Sequence, residues 1–553
     1  MKFGEVRLNK KSLNMRIIIV SLLFILKSLV VFGQSKTIYI DPGNKNNSDK
    51  NGSFSNPFDS WTDIRIESNV TYLQKRGTVA FIPAEINIHS SNVIIGAYGE
   101  GERPVIQSNA TEKEKIIDIG KSENVTVQDI EIISLTLATT CIGINSSHNI
   151  SLVNCKIHGA NYGIRSIQHT GKLLIKGCEV FNTRDDGMFI SELEDIEITE
   201  CHVYDVNQKW FTNQDQSYSG GDCIQLGYFD KFHIHGNILD HSSTGNKFCF
   251  IAISPRNKSG SIFESNICIS QKLSEGGGAV YLTDGANMTF RYNYFRNGHN
   301  GIYNSSSNLT LYYNIFEDFE WALNSAHPSG SALRSYNNVF FNCNKGIISQ
   351  KDQLLAYNNI FFFKDNSQTA IHLNSGKIDA SHNLYNFEHS QMLNIRSGYI
   401  GSLMEFTERT GQGRHSLVAD PEFIDVSNGN FSISKTSPCI DAGRNLGLLG
   451  DINGTPLADE NPPDIGAFEY TTSGMIFIPN PFVDFTKLKI FYTTGFPFRL
   501  ILYDLQGKKL FVKDRIENRE VELNLEANYK GVLIYQLINS NNKQVSTGRI
   551  LKF

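Results

Sequence analysis

The chain is predicted to fold as an all-β, right-handed parallel β-helix with a small β-sandwich at its end, and two observations carry that expectation. An Asn or Cys returns about every two dozen residues, each time opening a short apolar run: Cys155, Cys178, Cys201, Asn237, Asn266, Asn293, Asn314, Asn338, Asn359 and Asn383. All but one of the intervals span 21 to 29 residues and hold no helical pattern, only β-branched and aromatic runs broken by Gly, Asn, Asp and Ser. A unit that short cannot bury its own apolar face, so the units must stack as the coils of a solenoid.

The elements follow in order. Residues 1–33 read as a secretory signal peptide: Arg16 precedes an apolar run from Ile17 to Phe32, and Lys27 interrupts it, which argues against a permanent membrane span. Residues 34–104, opening on Ile38-Tyr39-Ile40-Asp41-Pro42-Gly43, are expected to form an amino-terminal cap and first coils that protect the open edge. The solenoid proper is expected over 105–400, a closing segment over 401–470, and a separate domain over 474–553.

Composition narrows the class. At 553 residues there is chain enough for more than one domain, and a net charge of −5 gives no global attraction to nucleic acid. The nine cysteines suggest disulfides in an exported chain, yet Cys155, Cys178 and Cys201 share one register of successive coils, which favours a buried thiol ladder. A monomer is expected.

Chemistry is expected where the period breaks. The interval between Cys201 and Asn237 stretches to 36 residues, and the added segment carries Trp210, amides and Tyr218, suited to a wall over a sugar site. Aligning the strands that follow each turn places Asp186, Asp222 and Lys247 in one column, with Asp185 beside it and Asp240 and His241 in the preceding turn. Parallel strands lie about 4.8 Å apart, so two carboxylates and an amine should meet. Arg165, Phe189, Gln225, Phe250, Tyr281 and Tyr303 are expected on the outer face as a floor, with Tyr228 and Arg256 at the far rim.

Such a group suits β-elimination from a uronic acid. A base takes the C5 proton, the adjacent carboxylate is neutralised, and the C4 substituent leaves. Lys247 is the expected base, with His241 or Arg256 assisting. Arg165, Trp210, Gln225, Tyr228, Tyr281 and Tyr303 are the expected substrate contacts, and Asp185, Asp186, Asp222 and Asp240 the ligands of a Ca²⁺, whose preference is for hard oxygen donors. The arrangement resembles the β-helical polysaccharide lyases, most closely pectate lyases that pair a lysine base with an aspartate-bound calcium. With the site closed at one end, the same chemistry would remove water from a terminal uronate. A second reading takes Asp185, Asp186 and Asp222 as acid and base of an inverting glycoside hydrolase. Asn182-Thr183-Arg184-Asp185-Asp186-Gly187 is similar to polygalacturonase strands, although that family's Gly-His-Gly and Arg-Ile-Lys strings are absent. A third reading is a carbohydrate-binding surface protein without catalysis.

Two terminal segments also carry resemblances. Asp420-Pro421-Glu422-Phe423 through Asp464-Ile465-Gly466-Ala467-Phe468-Glu469-Tyr470 resembles the closing segment of secreted bacterial β-helix proteins. Ile478-Pro479-Asn480-Pro481-Phe482, Leu502-Tyr503-Asp504-Leu505-Gln506-Gly507-Lys508 and the final Gly548-Arg549-Ile550-Leu551-Lys552-Phe553 resemble the sorting domain of Bacteroidetes type IX secretion. That resemblance implies the type IX machinery as a partner and a destination outside the cell or on the outer membrane. The expected ligand is an acidic polysaccharide or oligosaccharide.

Overall fold

A computed structural model describes residues 36–552 except 46–48, 63, 84, 110–114, 137–138, 208–220, 244–246, 258–259, 272–275, 327–330, 352, 458–460, 472–474, 479–484, 491, 493, 505–506 and 526–530. The expected signal peptide and Trp210 therefore lie outside the described residues.

The chain winds into a parallel β-solenoid of about 12 turns. Each coil contributes a strand to each of three parallel sheets. In the first sheet, Met188 pairs with Ile224, Ile224 with Phe250 and Phe250 with Val280. The second sheet stacks the strands Ile262–Glu264, Met288–Arg291 and Leu309–Tyr312. The third stacks His202–Tyr204, Ile238–His241 and Ile267–Ser270.

Coils begin earlier than the recurring Asn and Cys suggest. The strand Lys36–Ile40 already pairs in parallel with Val70–Lys75, and that strand with Val93–Tyr98. These coils lack the marker residue, and buried Trp61 is anchored instead by its indole N–H donating to Gln74 Oε1 at 2.7 Å. Pairing continues to Leu417–Val418.

The marker residues form a ladder at the corner between the second and third sheets. The Asn293 side-chain amide donates to Asn314 Oδ1 at 2.9 Å and to the Phe263 carbonyl at 2.9 Å, and Asn314 repeats the pattern with Asn338 at 2.9 Å. Each buried amide thus satisfies a backbone group of its own corner and the next side chain along. In the earlier coils thiols take this place, and the junction is the Cys201 backbone N–H donating to Asn237 Oδ1 at 2.9 Å. All nine cysteines are buried free thiols with no disulfide framework, and three of them, Cys155, Cys178 and Cys201, belong to the ladder.

The closing segment does not simply cap the end of the stack. Phe431, Ile433, Cys439, Ile465 and Phe468 pack sideways on Ile238, Ile267, Tyr294, Ile315, Val339, Ile360 and Leu384 of the third sheet. From Ile238 onward that sheet is apolar on its outside as well as its inside, and apolar surface of this extent must be covered. Asn358 ties the cover down, donating to the Arg444 carbonyl at 2.9 Å and accepting the Arg444 N–H at 2.8 Å.

Residues 475–552 form two antiparallel sheets, one of the strands Met475–Ile478, Phe485–Ile490 and Glu520–Asn524 and one of four strands including Phe498–Tyr503 and Gly531–Ile538. They enclose a core of their own built on Phe477, Leu488, Leu500, Leu523 and Leu537. This sandwich rests on the solenoid through Arg549, whose Nη1 donates to Ser265 Oγ at 3.1 Å and whose guanidinium lies over the Tyr292 ring at 5.0 Å.

Candidate functional site

The outer face of the first sheet carries two parallel rows of side chains, and the pairing registers define both. One row runs Arg165, Phe189, Gln225, Ile251, Tyr281, Tyr303, Asn324, Ile348 and His372. Arg165, Gln225, Tyr281 and Tyr303 therefore share a register, as expected. Phe250 does not belong to it. It is fully buried beside Phe263, their ring centroids 4.8 Å apart, and Ile251 takes the outward place.

The second row lies at the turn into the sheet. Gly187 N–H donates to the Asp222 carbonyl at 3.0 Å and Cys223 N–H to the Phe248 carbonyl at 3.3 Å, and Phe248, Gly278, Asn300, Trp321 and Lys345 follow in register. Phe248, not Lys247, continues the column of Asp186 and Asp222. Lys247 stands one residue earlier, in the turn, where the alternation of a strand does not dictate its direction.

At this corner the carboxylates are buried by their own backbone contacts. Asp186 Oδ1 accepts the N–H groups of Gly221 at 3.0 Å and Asp222 at 2.8 Å, and Asp222 Oδ1 accepts the N–H of Phe248 at 2.8 Å. Gly221 makes this possible: its φ is +103°, and a Cβ there would stand 2.2 Å from Asn207 Cβ. Asp185 is 5% exposed, Asp186 3% and Asp222 1%. Burial, then the charges of Asp222 and Asp185, push the Asp186 carboxyl well above the usual range. Burial pushes Asp222 up to about 6, against the Phe248 N–H and the positive charges of His241 and Lys247, which pull it down.

Lys247 and Asp222 line one shallow depression of about 350 Å³, together with Phe248, Ile251, Gly276, Gly277 and Tyr281. Phe248 and Tyr281 stand 5.4 Å apart by ring centroids, and Tyr281 stacks on Tyr303 at 5.2 Å with planes 3° apart. The depression is thus an amine and a carboxyl whose pKa burial raises, over an apolar and aromatic floor.

The other expected residues are placed elsewhere. His241 is 1% exposed, and its Nε2–H donates to the Gly221 carbonyl at 2.8 Å, so it braces the corner from inside the coil and does not face the groove. Asp240, its neighbour in sequence, points to the opposite side of the strand. There it lines a separate depression of about 670 Å³ with Glu179, Glu200, Tyr204 and Asp205. Arg256 lies beyond the strand Phe248–Ile253, at the opposite end from Lys247 of a strand about 20 Å long at about 3.3 Å per residue. Its Nε donates to Asp230 at 2.8 Å, and the two form a rim ion pair. Tyr228 is 55% exposed at the same rim. Arg165 lies over the Tyr162 and Phe189 rings, at 5.9 and 5.7 Å.

The four aspartates expected to hold Ca²⁺ do not fit that ion as placed. Asp240 belongs to another face, Asp186 and Asp222 each turn one oxygen to backbone amides, and burial disfavours their charged forms. Among the described residues no three His, Cys, Asp or Glu side chains are grouped to hold a metal.

Sequence reasoning aligned Asn300 with the second row but did not find Trp321 and Lys345, which extend it. The signal was available in Phe319-Glu320-Trp321-Ala322-Leu323-Asn324, where Trp321 and Asn324 repeat the spacing of Phe248 and Ile251.

Fold and face together define a parallel β-solenoid with a polar corner over an aromatic floor and a carboxy-terminal β-sandwich. No protein-family model matches the chain, and no curated protein matches it. Among solved structures, it is similar to the GH136 lacto-N-biosidase of Eubacterium ramulus at 12% identity, over 68% of this chain and 72% of that one, with a TM-score of 0.39. Tailspike protein 3 of bacteriophage CBA120 aligns at 10% identity over 69% and 61%, TM-score 0.39. The enzymatically active domain of that phage's tailspike protein 2 aligns at 10% over 93% and 76%, TM-score 0.32. Likenesses this distant add nothing to what the coils themselves show.

Proposed function

We propose that the corner is the active site of a carbon–oxygen lyase that acts on uronic-acid-containing polysaccharide or oligosaccharide by β-elimination. The observation that supports it is the pairing of Lys247 with Asp222 in one depression, the carboxyl held near pKa 6 by burial and within the field of the amine.

In this reading the pair carries one proton between them. When a uronate carboxylate enters beside Asp222, two like charges meet, and the cheapest arrangement shares a proton between them. Lys247 gives up that proton and is left as a neutral amine. Its Nζ then takes the C5 proton, which is acidic because it lies α to the neutralised carboxyl group. The C5–H electrons form the C4=C5 double bond, the C4–O bond breaks, and the new ammonium returns its proton to the departing oxygen. Loss of a sugar cleaves the chain; loss of a hydroxyl at a terminal uronate releases water. Phe248, Ile251 and Tyr281 lower the local dielectric and seat the ring.

The hydrolytic alternative is favoured by one observation, an Asp222 carboxyl poised near 6 as a general acid. Against it, Asp186 and Asp222 occupy adjacent coils, about 4.8 Å apart in backbone, whereas an inverting pair stands ~6.5–9.5 Å apart to admit water.

The test is to incubate the protein with polygalacturonate, alginate and ulvan while following ultraviolet absorbance and product mass. Rising absorbance supports elimination; new reducing ends without it support hydrolysis; neither product supports a binding protein. We also propose export to the cell surface or beyond, through the amino-terminal apolar run and the sandwich as a type IX sorting signal. Deleting 474–553 should leave the protein inside the cell envelope.

A further inference from the structure

We propose that the outer row beyond the corner is a distal subsite for a second acidic sugar of the same chain, with Lys345 as its anion contact. This rests on the acidic-carbohydrate reading above and adds that the substrate is a long chain lying along the solenoid axis, not a terminal sugar in a closed pocket.

The row is continuous. From Phe248, beside Lys247, it passes Gly278, Asn300 and Trp321 to Lys345, four coils or about 19 Å at the usual strand spacing. No side chain can rise at Gly278, where a Cβ would stand 1.9 Å from the Asn300 carbonyl oxygen, so the track is low at that coil. Tyr281 and Tyr303 flank it in the neighbouring row.

The far end is equipped for an anion. The Lys345 ammonium is held over the Trp321 ring at 5.5 Å, and among the described residues no carboxylate lies within 4 Å of it. The nearby Glu320 carboxylate is occupied by the Asn344 side-chain amide. His372 sits one coil further on in the adjacent row, where burial and the Lys345 charge lower its pKa and keep it a neutral hydrogen-bonding group. On the other side the His299 ring lies 4.5 Å from Trp321. Among the described residues, the buried His299 Nδ1 and Asn300 Oδ1 have no hydrogen-bond partner, and Asn300 is 7% exposed. Buried polar groups left unpaired mark places where a ligand hydroxyl completes the pattern. A lysine stiffened by an indole and free of carboxylates recognises a carboxylate or sulfate; the aromatic flank and unpaired amide suit the ring and hydroxyls of a sugar.

The experiment uses the full chain carrying Lys247→Ala, so that nothing is cleaved, and measures calorimetric binding of oligogalacturonate, oligomannuronate and oligoguluronate of two and of six units. The expected result is that hexamers bind at least tenfold more tightly than dimers. Adding Lys345→Gln should remove that gain while leaving dimer affinity unchanged, and Lys345→Arg should restore it. Equal hexamer affinity with and without Lys345→Gln overturns the subsite, as does a hexamer no tighter than a dimer for all three series. Length-dependent binding lost in Lys345→Gln, combined with no elimination by the parent protein, keeps the subsite and rejects the lyase.

Discussion

The Asp186 carboxylate accepts the backbone N–H of Asp222, one coil further on, at 2.8 Å. The same oxygen takes the N–H of Gly221, and Asp222 takes that of Phe248. The corner is a relay in which each carboxyl fixes the start of the next strand. Asp186→Asn keeps an acceptor and has no charged form for burial to disfavour, so it should leave stability within about 1 kcal/mol of the parent. Asp186→Ala strands two buried amides and should cost about 2–4 kcal/mol. Urea unfolding of the two variants checks this, and equal losses would contradict the relay.

Stability should fall as pH rises. Burial raises the carboxyls of Asp222 and Asp464 to about 6, Asp451 to about 7 and Glu469 to about 9. Above the unfolded values the native chain then binds more protons than the unfolded chain. Their contribution is complete below about pH 4 and is lost as pH climbs through 6 to 9. Two sets of groups act in the opposite sense. Glu264, lowered to about 2 by His233 and Arg291 despite its burial, does so only below the ordinary glutamate value of 4.5. His169, His235, His372, His382 and His389, lowered chiefly by burial, do so only up to the ordinary histidine value of 6.5, so the fall is carried above that by Asp451 and Glu469. The thermal midpoint should be higher at pH 5 than at pH 8, by scanning calorimetry, and Asp222→Asn should flatten part of the slope. A midpoint that rises over this interval would exclude the account.

Catalysis should have its own pH limb. The Lys247–Asp222 pair works with one proton, so a second proton bound at Asp222 blocks the base, and elimination should decline as pH falls through about 6. Lys247→Ala should lower the rate by about 10²–10⁴ with an unchanged circular dichroism spectrum. Full activity in that variant would remove Lys247 from the mechanism.

Elimination should persist in a chelator. Asp186 and Asp222 each commit one oxygen to backbone amides, and Asp240 belongs to a different face. A loss of activity in EDTA that calcium restores would show that the corner rearranges around the ion.

The asparagine ladder should be cooperative. Asn293→Ala removes an acceptor from Asn266 and a donor to Asn314 and to the Phe263 carbonyl, and should cost about 3 kcal/mol in urea unfolding. A cost below about 1 kcal/mol would mean that water or a neighbour fills the gap.

What the sequence determined by itself was the repeating part: the coil, its marker ladder, and the shared outward register of Arg165, Gln225, Tyr281 and Tyr303. Those follow from local rules, because a strand alternates with period two and a corner residue recurs once per coil. Tertiary structure alone decided the rest. Lys247 falls one place out of the Asp186–Asp222 column because it stands in a turn that no alternation governs, and Phe250 and Ile251 are both apolar, so only the pairing shows which faces out. Asp240 and His241 separate because neighbouring residues in a strand face opposite sides, one to a different depression and one into the core. The sideways cover of the third sheet by residues 431–468, and the extension of the groove row to Trp321 and Lys345, join segments far apart in the chain, and such contacts arise only when the coils stack.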